Sequence, residues 1–262
     1  MKSAQRTWFA DERQAEVLQL LAIRRRVESA QLAEHFGVSA ESIRKDLAQL
    51  ERRGLLRRVH GGAVPVDRKR EEPNVANRTE NAKAKLAIAR HALRFVPDGG
   101  TLLLDAGTTT LRLAELLPAD RELVVYTNAI PVLSTLLQRG IDVVGLGGRM
   151  RQETMAAVGP LTLGALDELN VDVAFLGTNA LSFDRGLTTP DVDEAAVKHA
   201  MLSAARQRVF LVDASKFGRE SLARHATLDD VDVLITDDGL TAEQRARLLA
   251  ADVTVEVAAE NR

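Results

Sequence analysis

Hydrophobic residues in the first part of the chain recur at helical spacing in three short segments. These segments predict helices at residues 13–25, 29–36 and 40–53. In the third, Ile43, Leu47 and Leu50 lie at i, i+4 and i+7, which places them on one face of a helix. Ser29 and Ser39 stand where N-caps are expected for the second and third helices. Residues 55–63 then alternate loosely around a glycine pair, which predicts a β-hairpin.

After residue 74, short apolar runs alternate with helical segments. Strands are predicted at residues 101–105, 123–126, 142–146, 172–176, 208–212, 232–235 and 253–257. Helices are predicted at residues 82–96, 109–117, 130–139, 161–169, 192–206 and 241–250. Strands without apolar–polar alternation, separated by such helices, are typical of a parallel sheet that is covered on both faces. The expected fold class is α/β, with a doubly wound, mostly parallel sheet after a small N-terminal unit.

Composition and charge predict the boundary between two domains along the chain. Residues 66–73 are charged or proline apart from Val66, so they cannot be buried, and a linker is expected there. We therefore expect a first domain at residues 1–65 and a second at residues 74–262. The net charge of −2 divides into +6 for residues 1–70 and −8 for the remainder. A basic head favours a polyanionic partner, although charge runs commonly only solvate a surface.

The composition also excludes several classes of protein. The chain has no cysteine, which excludes a disulfide framework, a thiolate zinc site and a cysteine nucleophile. Its apolar runs are of strand length, far short of the roughly 18 residues that a membrane-spanning helix needs. No apolar stretch follows the first charges, so no signal peptide and a cytoplasmic location are expected. Neither a metal nor a cofactor is expected.

The second and third predicted helices, joined by Gly37-Val38, have the proportions of a helix-turn-helix at about residues 27–46. The N-terminal end of a recognition helix reaches base edges, where Arg or Lys bridges guanine O6 and N7. The residues expected to contact DNA are Ser39, Glu41, Ser42, Arg44 and Lys45 on the third helix, and Arg57, Arg58 and His60 on the hairpin as a wing. The alternative is a small bundle whose arginines only face water.

Other residues of the head are expected to support the fold rather than to touch DNA. Asp46 is expected to orient or neutralise a neighbouring basic group. The aromatic residues Trp8, Phe9 and Phe36 are expected to pack, because a platform for single-stranded bases needs a series of stacking rings. Duplex DNA is therefore the expected partner.

Four polar clusters follow predicted strands of the body, at residues 105–110, 127–128, 145–149 and 177–179. The carboxyl ends of parallel strands are where open sheets bind ligands, and small residues before a helix N-terminus suit a phosphate. Glu194 and Lys198 lie at i and i+4 on a predicted helix, for which the simplest interpretation is a surface ion pair. Asp213 and Lys216 follow a buried strand, which favours a position in a pocket.

These patterns together resemble the DeoR family of bacterial transcriptional regulators over nearly the full chain. In the head the resemblance rests on Arg13-x3-Val17-x3-Leu21, Val38-Ser39-x2-Ser42-Ile43-Arg44-Lys45-Asp46-Leu47, Leu50-Glu51-x2-Gly54-Leu55 and His60-Gly61-Gly62-Ala63. In the body it rests on Leu104-Asp105-x-Gly107-Thr108-Thr109, Thr127-Asn128, Gly147-Gly148, Val158-Gly159, Phe175-Leu176-Gly177, Gly186-Leu187-Thr188-Thr189, Glu194-x3-Lys198 and Asp213-x-Ser215-Lys216-Phe217-Gly218. Two positions depart from the family. Ser42 replaces the usual threonine, and Ala180 replaces a common glycine, which changes the loop if that position needs a positive φ.

The resemblance implies a winged helix-turn-helix that binds operator DNA, and an effector domain similar to ribose-5-phosphate isomerase. By this resemblance, an effector pocket for a phosphorylated sugar would be lined by Asp105, Gly107, Thr108, Thr109, Thr127, Asn128, Gly147, Gly148, Glu194, Lys198, Asp213 and Lys216. It also implies a repressor of a sugar or carbohydrate catabolic operon. A homo-oligomer, either a dimer or a tetramer, is expected because paired heads must match half-sites about 34 Å apart.

Two other functions are compatible with the same residues. The first is a sugar-phosphate isomerase with an appended DNA-binding domain. The similar isomerases carry an acidic cluster after the fourth strand, whereas residues 176–181 hold no carboxylate, so binding without turnover is expected even though Glu194 could serve as a base. The second is a constitutive DNA-binding protein whose body only oligomerises.

Overall fold

The computed structural model describes residues 8, 10–24, 26–52, 55–59, 61–65 and 80–259. The chain divides into two compact units, residues 1–71 and 72–262. The expected linker at residues 66–73 lies outside the described residues, so the domain boundaries stay a prediction.

The first unit contains three helices and a small antiparallel sheet. Its elements are α1 (Ala10–Arg24), β1 (Val27–Glu28), α2 (Ser29–Phe36), α3 (Ala40–Arg52), β2 (Leu56–Val59) and β3 (Gly62–Pro65). The predicted helices and hairpin are confirmed, and the short strand β1, which the sequence did not indicate, adds to β3 in the order β1-β3-β2. The core consists of apolar side chains from all three helices, including Leu21, Leu32, Ile43 and Leu47.

The starts of α2 and α3 differ in how their first amide groups are satisfied. Ser39 is the N-cap of α3, as predicted, because its hydroxyl accepts a hydrogen bond from the Ser42 N–H at 3.1 Å. The prediction that Ser29 caps α2 is wrong, since Glu28 occupies the N-cap position and Ser29 is the first helical residue. The Ser29 N–H instead donates to the Gly61 carbonyl at 2.8 Å. The Gly61 carbonyl thus supplies an acceptor for the first of the amides of α2 that have no partner within the helix.

The second unit is built on seven parallel strands. They are β4 (Gly99–Leu104), β5 (Glu122–Thr127), β6 (Asp142–Gly145), β9 (Val171–Leu176), β12 (Ala205–Leu211), β14 (Val233–Asp237) and β15 (Thr254–Ala258). Their order is β15-β14-β12-β9-β4-β5-β6. All seven correspond to strands predicted from the apolar runs.

Six helices cover this sheet on both faces. They are α4 (Ala82–Ala92), α5 (Thr108–Leu116), α6 (Ile130–Gln138), α7 (Pro160–Asp167), α8 (Val192–Ser203) and α9 (Ala242–Ala250). Successive residues of the strands face opposite sides. Leu102 and Leu104 pack in the core that contains residues of α4, α5 and α6, whereas Leu103 packs in the core that contains residues of α7, α8 and α9. The predicted doubly wound α/β fold is therefore confirmed.

Five short strands of this unit were not indicated by the sequence. Strands β7 (Arg149–Arg151) and β8 (Ala156–Val158) form an antiparallel hairpin. Strands β10 (Ala180–Ser182), β11 (Gly186–Thr189) and β13 (Ala223–Ala226) form a separate antiparallel sheet. Strands of three or four residues, rich in Ala, Thr and Arg, are too short for an apolar pattern to identify.

The strand order creates a crevice between β4 and β9. From β4 the chain proceeds to β5 and β6 on one side, and it returns to β9, β12, β14 and β15 on the other. Loops that leave the carboxyl ends of β4 and β9 therefore diverge, which is the arrangement that binds ligands in open α/β sheets. Within the part of the chain that the structure describes, no helix is long and apolar enough to cross a membrane.

Candidate DNA-contacting surface and effector cleft

The residues of α3 that were predicted to contact DNA share its outward side. Ser39, Glu41, Arg44 and Lys45 are exposed and Ser42 is half-buried. Ile43 and Leu47, by contrast, are buried, because they form the apolar stripe that packs on the rest of the unit. The Arg44 guanidinium lies 3.2 Å from the Glu41 carboxylate, and these side chains are 67% and 62% exposed. Their role in binding DNA stays a prediction.

The hairpin contributes one described basic side chain. Arg58 is exposed on β2, and its guanidinium lies 3.0 Å from the Glu51 carboxylate at the end of α3. Glu51 also accepts the Arg58 N–H at 2.8 Å. This contact fixes the hairpin against α3. The Arg57 side chain and His60, which were also predicted to contact DNA, lie outside the described residues.

The buried carboxylate of Asp46 has a structural partner. The Arg13 side chain lies 2.6 Å from Asp46, and the Gln14 amide donates to the same carboxylate at 3.2 Å. The basic group that Asp46 neutralises is therefore on α1, not the adjacent Arg44 or Lys45. Trp8 packs edge to face on Phe36, with ring centroids 5.0 Å apart, as expected for a packing role.

The second unit has a cleft at the carboxyl ends of β4, β9 and β12. We refer to it as the switch-point cleft. Its lining combines hydroxyls, the backbone of residues 107–109, which we call the Gly-Thr loop, three lysines and two carboxylates. The lining residues are Lys85, Ala106, Gly107, Thr108, Thr109, Thr110, Gly177, Thr178, Asn179, Glu194, Lys198, Leu211, Asp213 and Lys216. Seven of the twelve predicted effector residues thus lie together here: Gly107, Thr108, Thr109, Glu194, Lys198, Asp213 and Lys216.

The charged floor of the cleft is buried. Lys198 is 2% exposed and forms an ion pair with Asp105, which is 1% exposed. The Lys198 ammonium also donates to the Gly177 carbonyl at 3.1 Å, and it lies 3.8 Å from a Glu194 oxygen. The interpretation of Glu194 and Lys198 as a surface ion pair is therefore wrong. They face the sheet because α8 packs this side of its surface against the strands.

Glu194 is held by Arg151, which the sequence analysis did not single out, and by Thr189 of the Gly186-Leu187-Thr188-Thr189 motif. One of its oxygens accepts from Arg151 on β7 at 2.9 Å, and the other accepts from the Thr189 hydroxyl on β11 at 3.1 Å. Thr189 also lies 3.0 Å from the Asn179 side chain oxygen. Arg151 belongs to a strand without a recognisable pattern, and the motif that contains Thr189 does not indicate its contact with Glu194.

The Gly-Thr loop leads directly into α5. This helix begins at Thr108, and the Thr110 hydroxyl donates to the Gly107 carbonyl at 3.0 Å. The first amide groups of a helix have no partner within the helix, and the helix dipole makes them attractive to an anion. The loop therefore offers backbone donors and threonine hydroxyls at one side of the cleft.

Five predicted effector residues do not line the cleft. The Thr127 hydroxyl donates to the Leu104 carbonyl at 2.8 Å, and the Asn128 amide donates to the Ala157 carbonyl at 2.9 Å. The Gly147 carbonyl accepts from the Thr162 hydroxyl at 2.9 Å, and a Cβ at Gly148 would stand 2.2 Å from that hydroxyl. The Thr127 contact connects β5 to β4, and the others connect the ends of β5 and β6 to the β7–β8 hairpin and α7. Asp105 is also absent from the lining, because it is buried under the cleft against Lys198.

Ala180, where the family commonly has glycine, fits its position without backbone strain. The non-glycine residues of positive φ in the described chain are Asn81, Met155 and Asp252, and Ala180 is not one of them. Its carbonyl accepts the Thr178 hydroxyl at 2.9 Å. The replacement therefore does not alter the loop through φ.

A buried histidine adjoins the cleft through Thr178. His225 Nε2 lies 3.1 Å from the Thr178 hydroxyl. Burial holds the pKa of His225 well below its ordinary value, and the positive charges of Lys198 and His199 lower it further. The imidazole is therefore neutral at pH 7. Among the described residues there is no group of three His, Asp or Glu side chains placed to hold a metal ion.

Comparison with protein families gives a clear assignment for both units. Residues 13–69 match the DeoR-like helix-turn-helix domain, and residues 80–238 match the DeoR C terminal sensor domain. The chain belongs to the DeoR family. The sequence-based resemblance, including the helix-turn-helix and the sensor domain, is thereby confirmed.

DeoR-family relatives match almost the whole length of the chain. The HTH-type transcriptional regulator GlpR of Haloferax volcanii is 41% identical, over 88% of this chain and 90% of its own. The transcriptional repressor AccR of Agrobacterium fabrum is 35% identical, over 87% and 90%. The glycerol-3-phosphate regulon repressor of Escherichia coli is 30% identical, over 84% and 88%. The protein is thus a DeoR-family transcriptional regulator.

The solved structures that resemble this DeoR-family chain do so over part of it. Ribose 5-phosphate isomerase A from Methanocaldococcus jannaschii is 22% identical, covers 53% of this chain and 55% of its own, and has a TM-score of 0.40. A likeness of this extent carries no information about activity or ligand.

Proposed function

We propose that this DeoR-family regulator represses an operon for carbohydrate catabolism and that a phosphorylated sugar changes its affinity for operator DNA. Two of its relatives are named repressors, one of them of a glycerol-3-phosphate regulon. The observation that carries the proposal is the switch-point cleft. It combines a helix N-terminus with Lys85, Lys198 and Lys216 and with the carboxylates of Glu194 and Asp213.

The two sides of the cleft suit the two parts of a sugar phosphate. The phosphate would bind at Gly107–Thr109, where the first amides of α5 and two hydroxyls donate hydrogen bonds to an anion. The sugar hydroxyls would lie towards Glu194 and Asp213, whose carboxylates accept hydrogen bonds, and Lys198, which donates them. Because Lys198, Asp105 and Glu194 are already held by one another, the site is organised before the ligand binds.

We propose binding without turnover in this cleft. Isomerisation of a sugar phosphate needs a base that moves a proton between neighbouring carbons. The two Glu194 oxygens accept from Arg151 and Thr189, so the carboxylate is tied to protein donors. The loop after β9 contributes Gly177, Thr178 and Asn179 to the cleft and no carboxylate.

We further propose that the exposed side of α3 enters the major groove of the operator and that the β2–β3 hairpin follows the backbone as a wing. In this proposal Ser39, Glu41, Ser42, Arg44 and Lys45 approach bases and phosphates. The active form is a homo-oligomer, a dimer or a tetramer, because two recognition helices must reach half-sites roughly 34 Å apart. Such a regulator would act in the cytoplasm, where the operator is.

The test is a thermal-shift screen of the full-length protein against three- to six-carbon sugar phosphates, with the unphosphorylated sugars as controls. A phosphorylated ligand present at a hundredfold excess over its Kd should stabilise the protein by about 2.7 kcal/mol. The same compound should change the affinity for an operator duplex selected by the protein from a random library. Recovery of the compound unchanged after incubation supports binding without turnover. Its conversion to an isomer would show that the protein is a sugar-phosphate isomerase.

A pair of glycine variants locates the binding site. Gly107→Val fills the phosphate side of the cleft and should abolish the thermal shift. Gly164→Val makes the same change on α7, outside the cleft lining, where a Cβ meets no atom within 4 Å, and should retain the shift. Absence of a shift with every sugar phosphate, or equal shifts in both variants, would contradict the proposed site.

A further inference from the structure

The first turn of α4 lies against the switch-point cleft. Lys85, on this turn, is buried at 6% exposure and lines the cleft together with the Gly-Thr loop. Its backbone N–H donates to the Asn81 carbonyl at 3.0 Å, which makes Asn81 the residue at which the helix starts. A buried ammonium beside the first turn of α5 adds positive charge where an anionic group would bind.

The Asn81 side chain connects the start of α4 to Asp213, another residue of the cleft lining. Its side chain amide donates to the Asp213 carboxylate at 2.9 Å and to the Ser215 hydroxyl at 3.0 Å. Asp213 itself lines the cleft, and its other oxygen lies 4.0 Å from the Lys216 ammonium. A bound anion would therefore repel the Asp213 carboxylate that Asn81 contacts. The same anion would attract the neighbouring ammonium of Lys216.

Asn81 holds a backbone conformation that suits this contact and few residue types. Its φ is 56°, in the left-handed region, where asparagine and glycine are the residues most readily accepted. The side chain makes no cap hydrogen bond to α4 itself. Its amide is directed across to Asp213 instead of to its own helix, so capping does not explain why an asparagine stands here.

The position along the chain gives this contact a regulatory meaning. The hairpin of the DNA-binding unit ends at Pro65, and residue 80 is the next described residue. Residues 80–85 are thus the first described residues of the sensor unit after the DNA-binding unit, and among them Lys85 lines the cleft. No other described element of the sensor unit combines a cleft residue with so short a path along the chain to residue 65.

We propose that Asn81 and Lys85 form the connection by which occupation of the cleft reaches the DNA-binding unit. This inference rests on the proposed effector function, and it names the residues through which ligand binding in the cleft affects the DNA-binding unit. An anion bound at the Gly-Thr loop attracts Lys85 and Lys216, weakens the Asn81–Asp213 contact, and so changes the start of α4, the first described element after the DNA-binding unit. A ligand shifts such an equilibrium only by its difference in affinity for the two arrangements, and the charge of Lys85 provides that difference.

The experiment compares Asn81→Gly with the unchanged protein. Glycine accepts the φ of 56° and removes only the amide side chain. The probes are glycerol 3-phosphate and inorganic phosphate, and the readouts are probe affinity and operator affinity with and without probe. We expect the probe to change operator affinity by about tenfold in the unchanged protein, within the usual range of allosteric coupling, and by less than about twofold in Asn81→Gly. Probe affinity should stay within about threefold.

A matched pair of lysine variants tests the charge. Lys83 lies on the same turn of α4 and is exposed, whereas Lys85 is buried at the cleft. Lys85→Met should weaken binding of both phosphate probes by about tenfold, as loss of one charge-assisted contact does, and Lys83→Met should not. Equal effects of the two variants would overturn the role of Lys85.

The outcomes separate this proposal from the effector function. If neither the probes nor any sugar phosphate of the thermal-shift screen binds or alters operator affinity in the unchanged protein, the effector function and the connection both fail. If the probe acts equally in the unchanged protein and in Asn81→Gly, the connection is wrong while the effector function stands. Should Asn81→Gly fold poorly, hydrogen exchange of the unchanged protein decides, because binding must alter the protection of the amides at residues 82–86, and unaltered protection overturns the proposal.

Discussion

The two units of this protein arrange their charges in opposite ways. In the DNA-binding unit, Glu41 and Arg44 pair on the surface with more than three-fifths of each side chain exposed. In the sensor unit, Asp105 and Lys198 pair with almost no exposure. DNA is a large polyanion, so only solvent-exposed side chains can contact it. A small ligand, by contrast, can be surrounded by charged side chains whose positions the fold has already fixed. We therefore expect Arg44 of the exposed pair to matter for DNA binding, and the buried Asp105–Lys198 pair to matter for the stability of the fold.

Burial of a charge does not by itself mark a ligand site. Asp46 in the DNA-binding unit is buried, as Asp105 is in the sensor unit. Both of its oxygens, however, accept hydrogen bonds from Arg13 and Gln14 on α1. Asp105 and Lys198 differ because they lie under an open cleft at a point where two parallel strands separate. The location in the fold, and not the ion pair, distinguishes the two.

The largest expected effect is on the buried pair of the sensor unit. Lys198→Met leaves Asp105 buried without its cation, which should lower the free energy of unfolding by about 3–5 kcal/mol. Urea denaturation measures it. The double variant Asp105→Asn, Lys198→Met should recover much of this loss, because it removes both charges. A loss below about 1 kcal/mol in the single variant would contradict the structural role of the pair.

The next effect concerns DNA. Arg44→Ala should weaken operator binding by about 1–3 kcal/mol if the guanidinium contacts a base, with a much smaller loss on random duplex. Arg112→Ala is the control, since Arg112 forms a similar exposed i, i+3 pair with Glu115 on α5 of the sensor unit. Equal losses on operator and random DNA would instead assign Arg44 to a phosphate.

An intermediate effect follows from the buried histidine. The folded protein holds the pKa of His225 below that of the unfolded chain, so the unfolded state binds the proton more readily. The stability that His225 contributes is therefore complete above pH ~6.5 and is lost as the pH falls, by at most about 1.4 kcal/mol per pH unit. Denaturation between pH 7.5 and 5 should show a shallower loss for His225→Gln. Parallel curves for the two proteins would refute this.

The smallest effect is expected at the exposed pair. Glu41→Ala removes the partner of Arg44 in solvent, and such pairs contribute about 0.2–1 kcal/mol at most. The change in unfolding free energy should match that of Glu115→Ala on α5. A substantially larger loss for Glu41→Ala would show that the exposed pair supports the DNA-binding unit, and the contrast between the two units would fail.

The course of the main chain could be predicted well from the sequence. The apolar runs identified all seven parallel strands, because strands buried on both faces are continuous stretches of hydrophobic residues. The helix-turn-helix followed from Ser39 as a cap and from the apolar stripe of α3. The Gly107–Thr109 loop could also be placed at the end of a strand and the start of a helix, since both features are local.

The environment of the site could not be predicted in the same way. Lys198 is 93 residues from Asp105 along the chain, and Arg151 is 43 residues from Glu194. The i, i+4 spacing of Glu194 and Lys198 occurs equally on exposed and buried helix faces. Asn81 and Lys85 had no motif to mark them. Their contacts exist because α4 and α8 pack on particular strands.

Local patterns in the sequence thus determined the elements of this protein, the parallel sheet and the family to which it belongs. Hydrophobic spacing and caps act over a few residues, so they can be read along the chain. Only the tertiary structure decided which charges are buried, which partners neutralise them and which part of the sensor unit meets the start of α4. Those properties depend on the order of the strands in the sheet, which brings distant residues to one edge and removes them from water.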